Sequence, residues 1–200
     1  MSRIEALDES LFWWINSHHT GALDWIMWTL SQSWSWAVVI LSVYLFVTLR
    51  KDRKSWLWVL LGIALCFLLA DQISNNAIKD GVQLLRPCYM YDGNEVVHNE
   101  AVRMFRTGYG GHYGFVSSHA ANVFAVAMFL ILCYGGRRKS PLLPYLLMLW
   151  AVAVCYSRPY LGKHYPGDII CGGLLGLGVG AVVYFVIAKI REKISSRSSA

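Results

Sequence analysis

Residues 157–168 read SRPYLGKHYPGD, and the apolar stretches on either side of them decide how the chain folds. Upstream runs Leu142–Tyr156 and downstream Ile169–Ile187, both strongly apolar. A polar dozen between two such stretches is a short connection at the edge of a bilayer. Polar and charged groups are costly there, so a cluster of them is a functional candidate. Arg158 supplies a fixed cation, His164 a nucleophile or base, and Asp168 a carboxylate. A helix starting near Pro166 would carry the Asp168 carboxylate back to the Nδ1 side of His164. Such a partner fixes the tautomer and strengthens the other ring nitrogen as a nucleophile.

Composition agrees with a membrane protein. The chain has 200 residues, 56% of them hydrophobic, with nine Trp, and its mean hydropathy is +0.42. Long apolar runs account for this. The net charge of +6 does not point to nucleic acid, because the basic residues are not spread over one face. They gather between apolar runs, at Arg50-Lys51-Arg53-Lys54, Arg137-Arg138-Lys139 and Lys189-Arg191-Lys193, as topology signals do. The five cysteines form no disulfide framework. Cys66, Cys133, Cys155 and Cys171 lie in apolar stretches, and Cys88 stands alone in a polar loop. No CxxC or His-rich spacing suggests a metal. The amino terminus follows Met1-Ser2-Arg3 with Glu5, Asp8 and Glu9, which is not a cleavable leader pattern.

The fold class expected is all-α, a polytopic membrane helix bundle of about five transmembrane helices plus an N-terminal interfacial amphipathic helix. The spans are 34–49, 56–70 (continuing as helix through Lys79), 118–134, 142–156 and 169–187. In the last, glycines at 172, 173, 176, 178 and 180 allow close helix approach. Residues 1–200 then form a single membrane domain. Within it, 1–31 is an interfacial helical segment, 34–188 the transmembrane catalytic core, 87–117 an extracytoplasmic loop over the site, and 189–200 a basic cytoplasmic tail. In segment 1–31, residues 4–16 place Ile4, Leu7, Leu11, Phe12 and Trp14 among acids, and 22–31 is apolar but too short to cross; a helix hairpin packed on the bundle is the alternative for 22–31. Five spans put all three basic clusters on the cytoplasmic side, with the amino terminus and both polar loops outside.

Two further polar clusters then reach the same outer face. Lys79 and Arg86 are seven apart, two turns on one helix face, and Pro87 would end that helix. Two cations on one face clamp an anion, and the Arg fork matches phosphate oxygens. Ser117-Ser118-His119 precedes the third span, so a serine near the N-cap leaves first-turn N–H groups facing an incoming anion. Read singly, these are snorkelling cations and an ordinary cap with a surface histidine.

Taken together and in this order, the motifs resemble those of the type 2 phosphatidic acid phosphatase family, integral-membrane enzymes that dephosphorylate lipid phosphates and diphosphates. Lys-x6-Arg-Pro is matched by Lys79, Arg86 and Pro87. Ser-Arg-x5-His-x3-Asp is matched by Ser157, Arg158, His164 and Asp168. The middle pattern, Pro-Ser-Gly-His, reads Val116-Ser117-Ser118-His119 here. Valine loosens the helix entry, and Ser118 adds a hydroxyl beside the phosphate that would be strained if it needed positive φ.

The resemblance implies that His164 attacks phosphorus to form a phosphohistidine, with Asp168 holding its ring. His119 would protonate the leaving oxygen and then activate water. Lys79, Arg86, Ser117, Ser118 (through nearby backbone N–H groups) and Arg158 would bind the phosphate, with no metal and no other cofactor. Its partners are the bilayer and a membrane lipid phosphate, not nucleic acid; the oligomeric state is left open. In loop 87–117, Arg103, Arg106 and His112 are free to meet a sugar or second phosphate. Compact bacterial members of the family act on undecaprenyl diphosphate, lipid A or phosphatidylglycerophosphate, and the segment GHYGFVSSHAAN resembles compact members from Gram-negative anaerobes, including lipid A 4′-phosphatases. The expected enzyme is a bacterial inner-membrane lipid phosphatase acting on the periplasmic face, on undecaprenyl diphosphate or lipid A. Alternatives are a phosphatidylglycerophosphate or phosphatidic acid phosphatase, a lipid-to-lipid phosphotransferase, or a non-enzymatic lipid-binding or transport protein.

Overall fold

The computed structural model describes residues 3–50, 56–134 and 141–198. The basic residues Lys51, Arg53 and Lys54 and the cluster 137–139 lie outside the described residues. In chain order the helices are α1 (Arg3–Ser17), α2 (Gly21–Ser31), α3 (Ser33–Arg50) and α4 (Trp56–Gln72). Helix α4 runs on through a π-helical segment, Ile73–Lys79, into a single turn, α5 (Asp80–Val82). After a long loop come α6 (Ser118–Tyr134), α7 (Leu143–Tyr160) and α8 (Pro166–Ser198). On length and composition, Trp56–Val82 and Pro166–Arg197 are long and apolar enough to cross a membrane, and Ser33–Ser42 and Ser118–Tyr134 are shorter apolar helices.

Helix α6 is the central element, enclosed by α4, α7 and α8. Its Ala120, Ala121, Val123, Ala125, Val126 and Ala127 are all fully buried. The closest packing is between α6 and α8, and the glycines explain it. Gly172, Gly176 and Gly180 recur every fourth residue, so they share one face of α8. A Cβ at any of them would collide with a backbone carbonyl of Ser117, Ala121 or Ala125 respectively. Among apolar helices in lipid, such close backbone approach replaces the hydrophobic drive that water would provide. Outward-facing Leu57, Leu60, Leu149, Val152, Ile170, Leu174, Val182 and Phe185 remain exposed. That apolar girdle suits contact with lipid tails.

The N-terminal hairpin packs on the end of the bundle, against the close of α7 and the start of α8. In α1, Ile4, Leu7, Leu11 and Trp14 point outward, while Phe12, Ile15 and Asn16 are buried. Helix α2 is started by Thr20, whose Oγ1 accepts from the Leu23 N–H at 3.4 Å. Segment 22–31 is thus a helix packed on the bundle.

Loop 87–117 is not purely irregular, and the all-α expectation needs that amendment. Tyr89–Asp92 (β1) and Glu95–His98 (β2) form an antiparallel hairpin. Gly93, at φ +60°, takes the first position of its two-residue turn, which suits the twist of a tight hairpin. Cys88 is not a polar-loop residue either: it is fully buried in a small cluster with Phe12, Tyr89 and Val102.

Candidate active site

The first motif is assembled differently from its expected form. Lys79 ends the π-helical segment, and the helix stops at Val82, short of Pro87. Gln83 is left-handed at φ +52°, which reverses the chain before Arg86. Arg86 therefore sits on an extended strap, not on the helix face of Lys79. The strap is bound to the segment that leads into α6: the Arg86 N–H donates to the His112 carbonyl at 2.9 Å, and the Gly114 N–H to the Leu84 carbonyl at 2.7 Å. Arg86 Nε donates to the Tyr113 carbonyl at 3.1 Å. Gly114 keeps this approach uncrowded, since a Cβ would meet both the Arg86 stem and the Asp168 carboxylate at 3.1 Å.

The second motif opens α6. Ser117 is fully buried, and its Oγ lies 3.5 Å from the Ala120 N–H, a loose cap. Its own N–H donates to the Asp168 carbonyl oxygen at 3.1 Å, which ties the second motif to the third. Ser118 is helical, so the positive-φ strain does not arise. Its hydroxyl is not free for phosphate. It donates to Asn75 Oδ1 at 2.8 Å and accepts from Lys79 Nζ at 2.6 Å and from Ser74 Oγ at 3.0 Å. Lys79 also donates to Asn75 Oδ1 at 2.6 Å. Asp71 accepts from Asn75 Nδ2 at 2.8 Å and so orients that amide toward the lysine. The π-helical turn makes this possible by bringing Ser74 and Asn75 to the same side as Lys79, and such turns are frequent at functional sites.

The third motif forms as its spacing predicts. Helix α8 starts at Pro166, and Asp168 Oδ2 in its first turn lies 3.3 Å from His164 Nδ1, both side chains 2% exposed. The Tyr165 N–H donates to the same oxygen at 3.0 Å. Among the described residues, His164 thus meets its carboxylate partner through Nδ1 and not through Nε2. His164 is held well below the ordinary imidazole range, first by burial and then by the positive charges of Arg158 and Arg86, with smaller effects from His119 and Lys79. It is neutral at neutral pH, so a lone pair is available. The same interactions show that all five groups share one end of the bundle. Arg158, 5% exposed, donates from Nη1 to Ser31 Oγ.

The loop residues differ most from expectation. Arg103 is not free: it forms a bidentate pair with Asp24 at 2.9 and 2.6 Å. That guanidinium holds the Asp24 carboxyl below its usual range. Arg106 lies over the rings of Trp25 and Trp28, at 4.6 and 5.3 Å from their centres. His112 packs edge-on against Tyr89 at 4.7 Å. A cation outside the motifs joins the site instead. Lys163 is 5% exposed, and its Nζ donates to the Gly108 and Tyr109 carbonyls, pinning the loop beside His164. Burial first, then Arg86 and Arg158, bring its pKa down to about 8. Asn75, Ser74, Ser31 and Lys163 all escaped the sequence reading; only the serine and asparagine side chains at the end of an apolar helix hinted at the first two.

The PAP2 superfamily model matches residues 55–192. The chain is 31% identical over 190 residues to a lipid A 4′-phosphatase of Bacteroides thetaiotaomicron, covering 95% of this chain and 81% of that protein. It is 30% identical over 198 residues to a lipid A 4′-phosphatase of Porphyromonas gingivalis, covering 96% and 78%. Among solved structures, the transmembrane PAP2-type phosphatidylglycerolphosphate phosphatase of Bacillus subtilis has the same fold, with a TM-score of 0.65 at 19% identity, over 97% of this chain and 89% of that one.

Proposed function

This chain belongs to the PAP2 superfamily and is a membrane lipid phosphatase, and from that premise we propose that it removes a phosphate from a lipid A-type glycolipid through a phosphohistidine on His164. The observation that carries this reading is the convergence of His164, Asp168, His119, Lys79, Arg86 and Arg158 from three distant segments at one end of the bundle. The choice of lipid rests on the two lipid A 4′-phosphatases, which are matched over 81% and 78% of their own length.

In the first step His164 Nε2 attacks phosphorus in line. The bond from phosphorus to the lipid oxygen breaks, and His119, protonated once the anionic phosphate is bound among the cations, delivers that proton to the leaving oxygen. In the second step His119 takes a proton from water, whose oxygen attacks phosphorus. The phosphorus–nitrogen bond breaks, releasing inorganic phosphate and neutral His164. Asp168 holds Nδ1–H throughout and stabilises the imidazolium character that develops. Lys79, Arg86 and Arg158 neutralise the equatorial oxygens, with backbone N–H groups at the start of α6 beside them. Substrate stabilises these clustered cations in turn.

We place the site on the extracytoplasmic face of a bacterial inner membrane. Helix α8 has 33 residues. At 1.5 Å per residue it is about 50 Å long, more than the bilayer core requires. Asp168 and the exposed Lys189, Arg191 and Lys193 therefore fall on opposite sides, and the basic end belongs to the cytoplasm. Helices α3, α4, α6, α7 and α8 are the five spans of a single membrane domain. Helices α1 and α2 lie at the outer interface, with Ile4, Leu7, Leu11 and Trp14 toward lipid.

The test is phosphate release by purified protein from lipid A, phosphatidylglycerophosphate, undecaprenyl diphosphate and phosphatidic acid. The highest kcat/KM is expected on lipid A, with inhibition by vanadate. A clear preference for another member of the panel would overturn the substrate, and no release from any of them would overturn the assigned chemistry.

A further inference from the structure

One residue outside every motif touches two of the groups assigned above. Ser31 is the last residue of α2, is 5% exposed, and lies outside the span matched by the family model. Its Oγ accepts from Arg158 Nη1. Its backbone carbonyl lies beside the His119 imidazole. Trp36 closes on the edge of that imidazole, with ring centres 4.6 Å apart and planes at 85°.

Arg158 needs this support. Its Nε is buried with no hydrogen-bond partner among the described residues, so a lost Nη1 bond would leave a second donor of a buried cation unpaired. His119 also needs it. A carbonyl beside the ring favours the tautomer whose N–H faces it, Trp36 restricts the ring plane, and the other nitrogen is left toward the reaction.

The end of α2 is held firmly enough to do this. Trp36 Nε1 donates to the Leu30 carbonyl at 2.7 Å. Asp24, also on α2, binds Arg103 and accepts from Tyr160 Oη at 2.7 Å. Asn16 Nδ2 donates to the Tyr160 carbonyl at 3.0 Å, and Asn16 Oδ1 accepts from the Arg103 N–H at 3.0 Å. Two short helices are thereby bonded to the loop and to the residues that follow Arg158.

We propose that Ser31 is a positioning residue of the phosphate site, its hydroxyl aiming Arg158 and its carbonyl setting His119, so that the N-terminal hairpin completes the site as well as anchoring it. This rests on the reading of Arg158 and His119 given above.

The test uses the full chain in detergent with a lipid phosphate that the wild type hydrolyses. Ser31→Ala should lower kcat/KM and weaken vanadate inhibition by about 10- to 100-fold, the worth of a hydrogen bond to a charged group. Ser31→Thr, which keeps the hydroxyl, should restore most of both. Adding Ser31→Ala to Arg158→Ala should cost little more than Arg158→Ala alone. Ser35→Ala is the control for the α2–α3 junction, because it removes only the 2.7 Å bond from Ser35 Oγ to the Gln32 carbonyl. It should leave turnover close to wild type. Unchanged kinetics in Ser31→Ala, full additivity with Arg158→Ala, or an equal loss in Ser35→Ala would each overturn the proposal. Failure of the wild type to release phosphate would instead overturn the function on which it rests.

Discussion

The Lys79 ammonium lies 2.6 Å from the hydroxyl of Ser118, the residue that stands where the family's second motif carries glycine. The added side chain is thus not an obstruction beside the phosphate. It is part of a bonded chain running from Asp71 through Asn75 to Lys79, with Ser74 behind it. Lys79 uses two of its three N–H donors on this chain and keeps one. Restoring the family glycine with Ser118→Gly should lower kcat/KM about tenfold, mostly through KM, because the ammonium loses an acceptor that orients it. Steady-state kinetics would show this, and an unchanged KM would mean that Asn75 alone holds the lysine.

His164 gives the pH dependence its sign. Burial and Arg158 keep its folded pKa below the unfolded value. The neutral, attacking form therefore persists below about pH 6.5, where an exposed histidine would already be half protonated. Activity should fall only at lower pH. Stability from this group should also fall as pH drops below that unfolded value, since the unfolded chain then binds more protons than the folded one. Arg158→Gln removes a neighbouring positive charge and should move the acid limb of kcat/KM upward. A limb that stays in place would show that another group controls it.

Replacing His164 with Ala should abolish turnover and any acid-labile phosphoenzyme. His119→Ala should slow turnover by two or more orders of magnitude, since positioned proton transfer typically contributes about 100- to 10,000-fold. Rapid quench with labelled lipid phosphate would separate the two. A phosphoenzyme in His164→Ala would remove the assigned nucleophile.

Arg103 should matter for stability and not for substrate choice. Its bidentate bonds to Asp24 join α2 to the loop. Arg103→Ala should cost about 1.5–3 kcal/mol, the range for hydrogen bonds to charged groups. The thermal midpoint in detergent would fall while the ranking of the lipid panel stays the same. A changed ranking with an unchanged midpoint would return Arg103 to the substrate.

Packing between α6 and α8 gives an independent check. A side chain at Gly176 meets the Ala121 carbonyl, whereas Gly178 faces open space. Gly176→Leu should therefore destabilise by at least the roughly 1–3 kcal/mol typical of overpacking, and the yield of folded protein should drop. Gly178→Ala should be neutral. Equal effects at the two positions would contradict the close approach of these helices.

Much of this protein could be read locally. The interval between His164 and Asp168 is one helical turn, and Pro166 starts that turn, so the pair was legible from spacing. The glycine repeat of α8 was legible for the same reason. The position of Arg86 is not legible locally, because the reversal at Gln83 carries no strong signal; glutamine is not a usual left-handed residue. Nothing near Arg103 in sequence reveals its partner, because Asp24 lies 79 residues away. Ser31 gave no signal at all: it is a serine at the end of an apolar segment.

By itself the sequence determined the apolar spans, the reactive residue types and the local geometry of each motif. These depend on periodicity and on neighbours within a few residues, which the order of side chains encodes directly. Only the tertiary structure decided which distant groups meet: Ser118 with Lys79, Ser31 with Arg158 and His119, and Asp24 with Arg103. Those pairings depend on how closely α8 can approach α6 and on where the N-terminal hairpin seats, and both are outcomes of packing across the whole bundle.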